Sequence, residues 1–312
     1  MKVLVTGGSG MVGKCLKEIC DKKFINNEFI FLSSKDCDLT KIDDVDKLFN
    51  ENKPDFIIHL AANVGGLYKN LREKISMFKD NIRMNENILE ISNKYNVQRG
   101  IFCLSSCIFP HKPKKYPMNE SMMHESEPHP SNEGYGYSKR MMEMQCRNYN
   151  QQFGRKYICL IPVNLYGPHD NFNLEDSHVI AGLIHKFYNQ KIKNTQFKMY
   201  GSGKPLRQFI YSYDFANIIL KFLFDYHENY ESIICCNDEI CIKDLTDMIC
   251  KLSGCNENEI ICDLTKPEGC MRKTVDNSLF NKIYPDFEYT SLEEGLKSTI
   301  NWFYDNYENC RK

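Results

Sequence analysis

Two side chains with a ready chemical partnership stand four residues apart, Tyr135 and Lys139 in the run Tyr135-Gly136-Tyr137-Ser138-Lys139. On a helix that spacing puts both on one face. A free phenol titrates at about 10 and is a poor acid–base catalyst at neutral pH. A nearby positive charge favours the phenolate and brings the group into range. Such a tyrosine can hand a proton to a ketone oxygen as hydride arrives at the carbon. Tyr137 competes for the role, but only Tyr135 has the lysine at helical spacing. Upstream, an apolar run ends in Leu104-Ser105-Ser106, and a hydroxyl at Ser105 would orient the same substrate oxygen. Alone, Tyr-xxx-Lys is a common surface pair; it becomes catalytic only beside a source of hydride.

The N-terminus offers one. Thr6-Gly7-Gly8-Ser9-Gly10-Met11-Val12-Gly13 fits T-G-x-x-G-x-x-G, after a predicted strand and at the start of a predicted helix, the context that identifies a dinucleotide loop. Gly7 permits the tight turn, Gly10 lets the backbone approach a pyrophosphate, and Gly13 allows close helix–strand packing. The helix N-terminus then offers free N–H groups and a positive dipole end to the phosphates. The chain is therefore expected to bind a nicotinamide cofactor, whose positive ring would add to the charge acting on Tyr135. At the end of the second strand an acid selects NAD, and a cation accommodates the 2′-phosphate of NADP. Here Ser33-Ser34-Lys35 precedes Asp36, which leans towards NADP(H).

These residues need a frame. Short apolar runs recur at Lys2–Thr6, Phe29–Leu32, Asp55–Leu60, Gly100–Ser105 and Tyr157–Ile161. Helical patterns lie between them, at about Met11–Cys20, Val45–Asn50 and Met77–Tyr95. Strands alternating with helices predict βαβ units, an α/β fold with a doubly wound parallel (Rossmann) sheet covered on both faces. After Pro162 the rhythm loosens, and Asn164–Asp170 reads as turn. The expected organisation is a cofactor domain at 1–163 and a smaller C-terminal α/β substrate lobe at 164–312. A segment at about 205–236 returns to the first domain.

Composition removes several function classes. The 312 residues are 42% hydrophobic and 26% charged, with a formal net charge of -1. No global field would draw in nucleic acid or an anionic membrane. No apolar run is long enough to span a bilayer, and the N-terminal run is too short for a signal-peptide core. Fifteen cysteines, spread out and without a CxxC pair, read as small buried hydrophobes in a reducing cytosol rather than as disulfides or a zinc site. No metal is expected, and the location expected is cytoplasmic.

With these motifs in view, the chain resembles the extended short-chain dehydrogenase/reductase superfamily, on the glycine loop, His59-Leu60-Ala61-Ala62, Ser105 and Tyr135-xxx-Lys139. Longer blocks resemble the GDP-L-fucose synthase family within it. These are Asn63–Leu67, Ser105–Pro110, Asn164–Asn173, Asp176–Ile180 and Gly201–Phe209, and the similarity runs nearly end to end. The resemblance implies epimerisation of GDP-4-keto-6-deoxy-D-mannose at C3 and C5, then reduction of its C4 ketone by NADPH, in an enzyme that is usually a homodimer. It places Cys107 as the epimerising base and His178 as the acid, a thiol and an imidazole whose free pKa values of about 8.5 and 6.5 suit proton shuttling. It adds Leu60, Ala61, Ala62, Pro162, Asn164, Leu165 and His178 to the cofactor site. By the same likeness Ser106, Asn164, Lys186, Tyr200, Arg207 and Lys273 face the nucleotide-sugar. Tyr200 stands where relatives carry Trp, and Lys186 where some carry Arg.

Other readings share the fold. A 4,6-dehydratase typically carries Asp-Glu after the strand hydroxyl, where this chain has Ser106-Cys107. A 4-epimerase needs no Cys/His pair and holds NAD tightly. A non-catalytic cofactor sensor would commonly have lost Tyr135 or Lys139.

Overall fold

The computed structural model describes residues 1–193, 195–226, 232–256, 260–265 and 269–312. In chain order the first half contains β1 (Lys2–Thr6), α1 (Met11–Lys23), β2 (Glu28–Phe31), α2 (Ile42–Asn52), β3 (Phe56–His59), α3 (Leu67–Arg72), α4 (Lys74–Lys94), β4 (Arg99–Cys103), α5 (Glu133–Phe153) and β5 (Lys156–Pro162). The second half contains β6 (Asn164–Tyr166), α6 (Val179–Lys193), β7 (Lys198–Tyr200), β8 (Leu206–Tyr211), α7 (Ser212–Phe224), β9 (Ser232–Cys235), β10 (Glu239–Cys241), α8 (Ile242–Leu252), β11 (Ile261–Asp263), α9 (Ser278–Ile283) and α10 (Leu292–Asp305).

The main sheet is six-stranded, in the order β2-β1-β3-β4-β5-β9, and every pairing is parallel. Its strands are the apolar runs of the sequence, and in β1, β3 and β5 the residues on both faces are buried because helices cover both sides. The order reverses at β1, which has β2 on one side and β3 on the other. Ligands of open α/β sheets bind beyond the carboxyl ends of the strands at such a reversal.

The Asn164–Asp170 stretch, expected as turn, begins with a strand. β6 pairs in parallel with β8, and β8 pairs antiparallel with β10. Turn-type residues had masked it. Asn164 spends its side-chain amide on the Gln208 carbonyl, 2.8 Å away, and so ties β6 to β8. β7 and β11 form a separate parallel pair.

Two apolar cores result. One joins the main sheet, β9 included, to α1, α4 and α7, and also gathers Val275 and Phe280 from the C-terminal third. The other packs Phe172, Ile184, Phe187, Phe209, Leu245 and Phe303 from the second half of the chain. The 205–236 segment divides between them: Phe209 belongs to the second core, and α7 and β9 to the first. Residues 227–231 within it lie outside the described residues.

Candidate active site

A cavity of about 1080 Å³ opens over the carboxyl ends of β1, β3, β4 and β5 and runs into the second lobe. Typical small-molecule pockets measure ~300–1,000 Å³, so this one has room for more than a single drug-sized ligand.

Its first half is made of backbone. Gly7 sits at φ +69, and a Cβ there would lie 2.8 Å from the Ala61 nitrogen. Gly13 packs back onto the loop, where a Cβ would come within 2.5 Å of the Gly7 carbonyl and 2.6 Å of Gly8 Cα. Gly10 is the N-cap of α1 and makes no side-chain cap. The first-turn N–H groups of α1 therefore face the cavity beside Ser9 and Met11, a cradle that fits a diphosphate. Thr6, Gly7, Ser9, Gly10, Met11, Val12, Gly13, Ser33, Ser34, Leu60, Ala61, Ala62, Pro162, Asn164 and Leu165 all line the cavity. Two expected cofactor residues do not. Gly8 turns its Cα towards Phe31 of β2, where a Cβ would be 2.7 Å from the Phe31 Cβ, so it serves loop packing. Lys35 is exposed on the turn outside the wall, and its backbone N–H donates to Ser33 Oγ at 3.2 Å.

The second half is made of side chains. Ser105 caps the short turn Ser106–Ile108, its Oγ accepting from the Cys107 N–H at 3.2 Å. Tyr135 lies in the first turn of α5, buried, and lines the cavity with Ser105. Lys139 is buried one turn on, with Nζ 5.8 Å from the Tyr135 ring centroid and 2.7 Å from the Cys103 carbonyl that it donates to. The expected electrostatics are reversed in the protein alone. Burial pushes the Tyr135 hydroxyl well above the usual phenol value, Cys103 and Cys107 add to this, and the Ser105 hydroxyl only partly opposes them. Burial likewise pulls the Lys139 ammonium below its usual value. Tyr135 is thus held as the phenol, the form that has a proton to give.

Cys107 is half-buried at the cavity wall, with its Sγ accepting from Asn132 Nδ2 at 2.8 Å and Lys273 Nζ at 3.8 Å. His178 is half-buried at the same cavity, just before α6. The segment before it is fixed to the loop after β3: Gly66 N–H donates to the Asp176 carbonyl at 3.1 Å, and Arg72 pairs with Asp176 at 3.1 Å. A Cβ on Gly66 would lie 2.5 Å from the Ser177 carbonyl, so that contact needs glycine.

Ser106, Lys186, Tyr200 and Arg207 also line the cavity, as does Lys273. Lys186 Nζ stands 3.4 Å from the Tyr200 ring centroid and donates to the Lys198 carbonyl at 3.1 Å. Burial lowers the Arg207 guanidinium from its usual value, with Cys270, Cys107 and Tyr116 opposing. Sequence reasoning missed Asn132, His129, Asp170 and Arg311, which share this wall. Asp170 is buried, and its Oδ2 has no hydrogen-bond partner. Asp170 lay inside a block already singled out, but nothing in a loop sequence says which way a side chain turns.

Comparison with known proteins agrees with this geometry. Residues 3–234 match the model of the NAD dependent epimerase/dehydratase family. The chain is 43% identical to a GDP-L-fucose synthase of Dictyostelium discoideum, over 99% of this chain and 97% of that one. It is 38% identical to a probable GDP-L-fucose synthase of Drosophila melanogaster, over 100% and 99%. Among solved structures, a GDP-L-fucose synthetase from Naegleria fowleri bound to NADP is similar with a TM-score of 0.93 at 41% identity, over 100% of this chain and 95% of that one. Sharing fold and full-length sequence with them, the chain belongs to the NAD dependent epimerase/dehydratase family and, within it, to the GDP-L-fucose synthases.

Proposed function

We propose that the chain converts GDP-4-keto-6-deoxy-D-mannose to GDP-L-fucose, by epimerisation at C3 and C5 followed by NADPH-dependent reduction at C4. One observation carries the reading. A single cavity brings a protonated Tyr135 together with Ser105, Cys107 and His178, so two proton-handling sets share one wall.

NADPH, when bound, supplies the hydride. Thr6, Gly7, Ser9, Gly10, Met11, Val12 and Gly13 would hold its diphosphate, with Ser33, Ser34 and Lys35 towards the adenosine. Leu60, Ala61, Ala62, Pro162, Asn164 and Leu165 would flank the rest. Cys107 removes the proton next to the ketone, and His178 returns one from the opposite face. Ser105 holds the C4 oxygen and Tyr135 gives it a proton. Lys139 compensates the charge that this leaves on the phenolate. Lys186 and Arg207 neutralise the diphosphate of GDP, and Tyr200 offers a ring to its base. Ser106, Asn164 and Lys273 complete the sugar site.

The family fits the chemistry, and the assay is direct. With freshly made substrate, NADPH absorbance should fall and solvent deuterium should enter C3 and C5. NADH, run alongside, should react more slowly. Unchanged absorbance with fresh substrate would overturn the reading.

The same proposal divides the work between a cofactor domain at 1–163, joined by later segments, and a substrate lobe in 164–312. It also makes the enzyme a homodimer. Ile75 (78% exposed) and Phe78 (43%), three residues apart on α4, leave apolar surface exposed, as does Leu71 (42%) on α3. Ile75→Asp should give a smaller particle in sedimentation; an unchanged dimer would move the interface elsewhere. A cytosolic location fits fifteen cysteines that form no disulfide, and among the described residues no helix is long and apolar enough to cross a membrane.

A further inference from the structure

Asn132 is the N-cap of α5, and asparagine is among the best residues for that position because its side chain satisfies a free N–H of the first turn. Here the side chain makes no capping bond. Its amide turns outward instead and donates Nδ2–H to Cys107 Sγ at 2.8 Å. Its Oδ1 is buried and has no hydrogen-bond partner among the described residues. Two local stabilisations are therefore given up at one residue, a helix cap and a satisfied amide oxygen, and departures of this kind gather at functional sites. A second contact fixes the same pair of elements. A Cβ on Gly136 would lie 2.9 Å from the Cys107 carbonyl, so the first turn of α5 lies directly against the turn that carries the thiol. Lys273 completes the surroundings, its Nζ 3.8 Å from Cys107 Sγ.

We propose that Asn132 is a positioning residue for Cys107: its amide holds the sulfur at the cavity wall and, with Lys273, solvates it as the thiolate that takes the proton. The inference rests on Cys107 being the epimerising base. It also gives Lys273 a second duty, as a partner of the sulfur beside its place in the sugar site. The first turn of α5 then serves both halves of the reaction, through Asn132 for epimerisation and through Tyr135 and Lys139 for reduction.

The test separates holding the sulfur from capping the helix. Asn132→Asp restores a strong capping side chain but places an anion against the sulfur. Asn132→Ala removes the bond to the sulfur and supplies no cap. In the holoenzyme, deuterium entry at C3 and C5 should fall about tenfold to a hundredfold in both variants, the loss expected for a hydrogen bond to a charged group. Alkylation of Cys107 by iodoacetamide, followed on its own peptide, should slow about tenfold in both variants, and Lys273→Met should slow it as well. NADPH affinity should stay within about twofold, and the Tm of Asn132→Asp should equal or exceed that of the wild type. If Asn132→Asp exchanges deuterium and is alkylated at the wild-type rate, or if both rates only follow Tm, the proposal is overturned. If instead Cys107→Ser retains full exchange, the assignment of the base fails, while the alkylation result still reports on the contact between Asn132 and the sulfur.

Discussion

The two halves of the cavity are built from different materials. Around Gly7, Gly10 and Gly13 the wall is main chain, set on parallel strands whose residues are buried on both faces. Around Cys107, His178, Arg207 and Lys273 it is side chains, carried on turns and strand ends that come from four separate parts of the sequence. A backbone wall has one shape and cannot be adjusted residue by residue. A side-chain wall can be retuned by single substitutions while the fold stays intact. The halves should therefore fail in different ways.

The sharpest break falls on the backbone half. Gly13→Val would put a branched side chain where even a Cβ meets the Gly7 carbonyl at 2.5 Å and Gly8 Cα at 2.6 Å. The atoms it meets are main chain and cannot rotate away. Overpacking of this sort should destabilise the protein by about 3 kcal/mol or more and abolish cofactor binding. Denaturant unfolding with and without NADPH measures both. A variant that still gains stability from NADPH would mean that the loop is more plastic than its contacts allow.

Substitutions in the side-chain half should leave fold and cofactor binding alone and divide the chemistry. Cys107→Ser should lower deuterium entry at C3 and C5 by about 10²–10⁴-fold, the usual worth of a positioned acid or base. Tyr135→Phe should stop NADPH oxidation by a similar factor while exchange continues. If both variants lose both activities together, the wall works as one unit and the division is wrong.

The same contrast explains what the sequence could say. The glycine loop was legible because its geometry is local: spacing, strand before and helix after are all contiguous. Tyr135 and Lys139 were legible for the same reason, being one helical turn apart. The strand–helix alternation gave the parallel sheet, because burial on both faces leaves uninterrupted apolar runs. Cys107 and His178 could not be found from spacing, since 71 positions separate them in the chain (178 − 107). Resemblance supplied them. Asn132 escaped even so, because an asparagine before a helix reads as its cap, and only the fold shows the amide turned to sulfur. β6 escaped because Asn164 and its turn-like neighbours form a strand only by pairing with β8.

A pH experiment probes the rigidity of the backbone half. His59, at the end of β3, is fully buried, with Nδ1 2.8 Å from Thr6 Oγ1 and Nε2 3.1 Å from Asn85 Oδ1. Burial, helped by the Lys139 charge and opposed by the Asn85 bond, lowers its imidazole to about 3 from 6.5. Between those values the unfolded chain binds a proton that the folded protein refuses. This contribution to stability is complete above about pH 6.5 and declines as the pH falls towards about 3, by a few kcal/mol. Unfolding curves of wild type and His59→Gln between pH 7 and 4 should differ in slope, with the variant flatter. Parallel slopes would show that the site around β3 opens and hydrates before the protein unfolds.

The smallest effect is expected where the backbone half gives way to side chains, at the turn after β2. Both the N–H and the Oγ of Ser33 donate to Asp36 Oδ2 at 2.7 Å, and these bonds hold the Asp36 carboxyl below its usual value. Asp36, the acid that would favour NAD, is thereby turned back into its own loop. Lys35 is exposed and belongs to neither wall, so its attraction for a 2′-phosphate acts through solvent and is worth about 1 kcal/mol or less. Lys35→Ala should weaken NADPH about fivefold at low salt, leave NADH unchanged, and lose its effect near 1 M salt, where the Debye length is about 3 Å. An unchanged KM for NADPH at low salt would take Lys35 out of cofactor selection and leave the choice to Ser33 and Ser34. A loss far larger than fivefold, persisting in salt, would mean that the turn closes over the cofactor and makes Lys35 part of the wall.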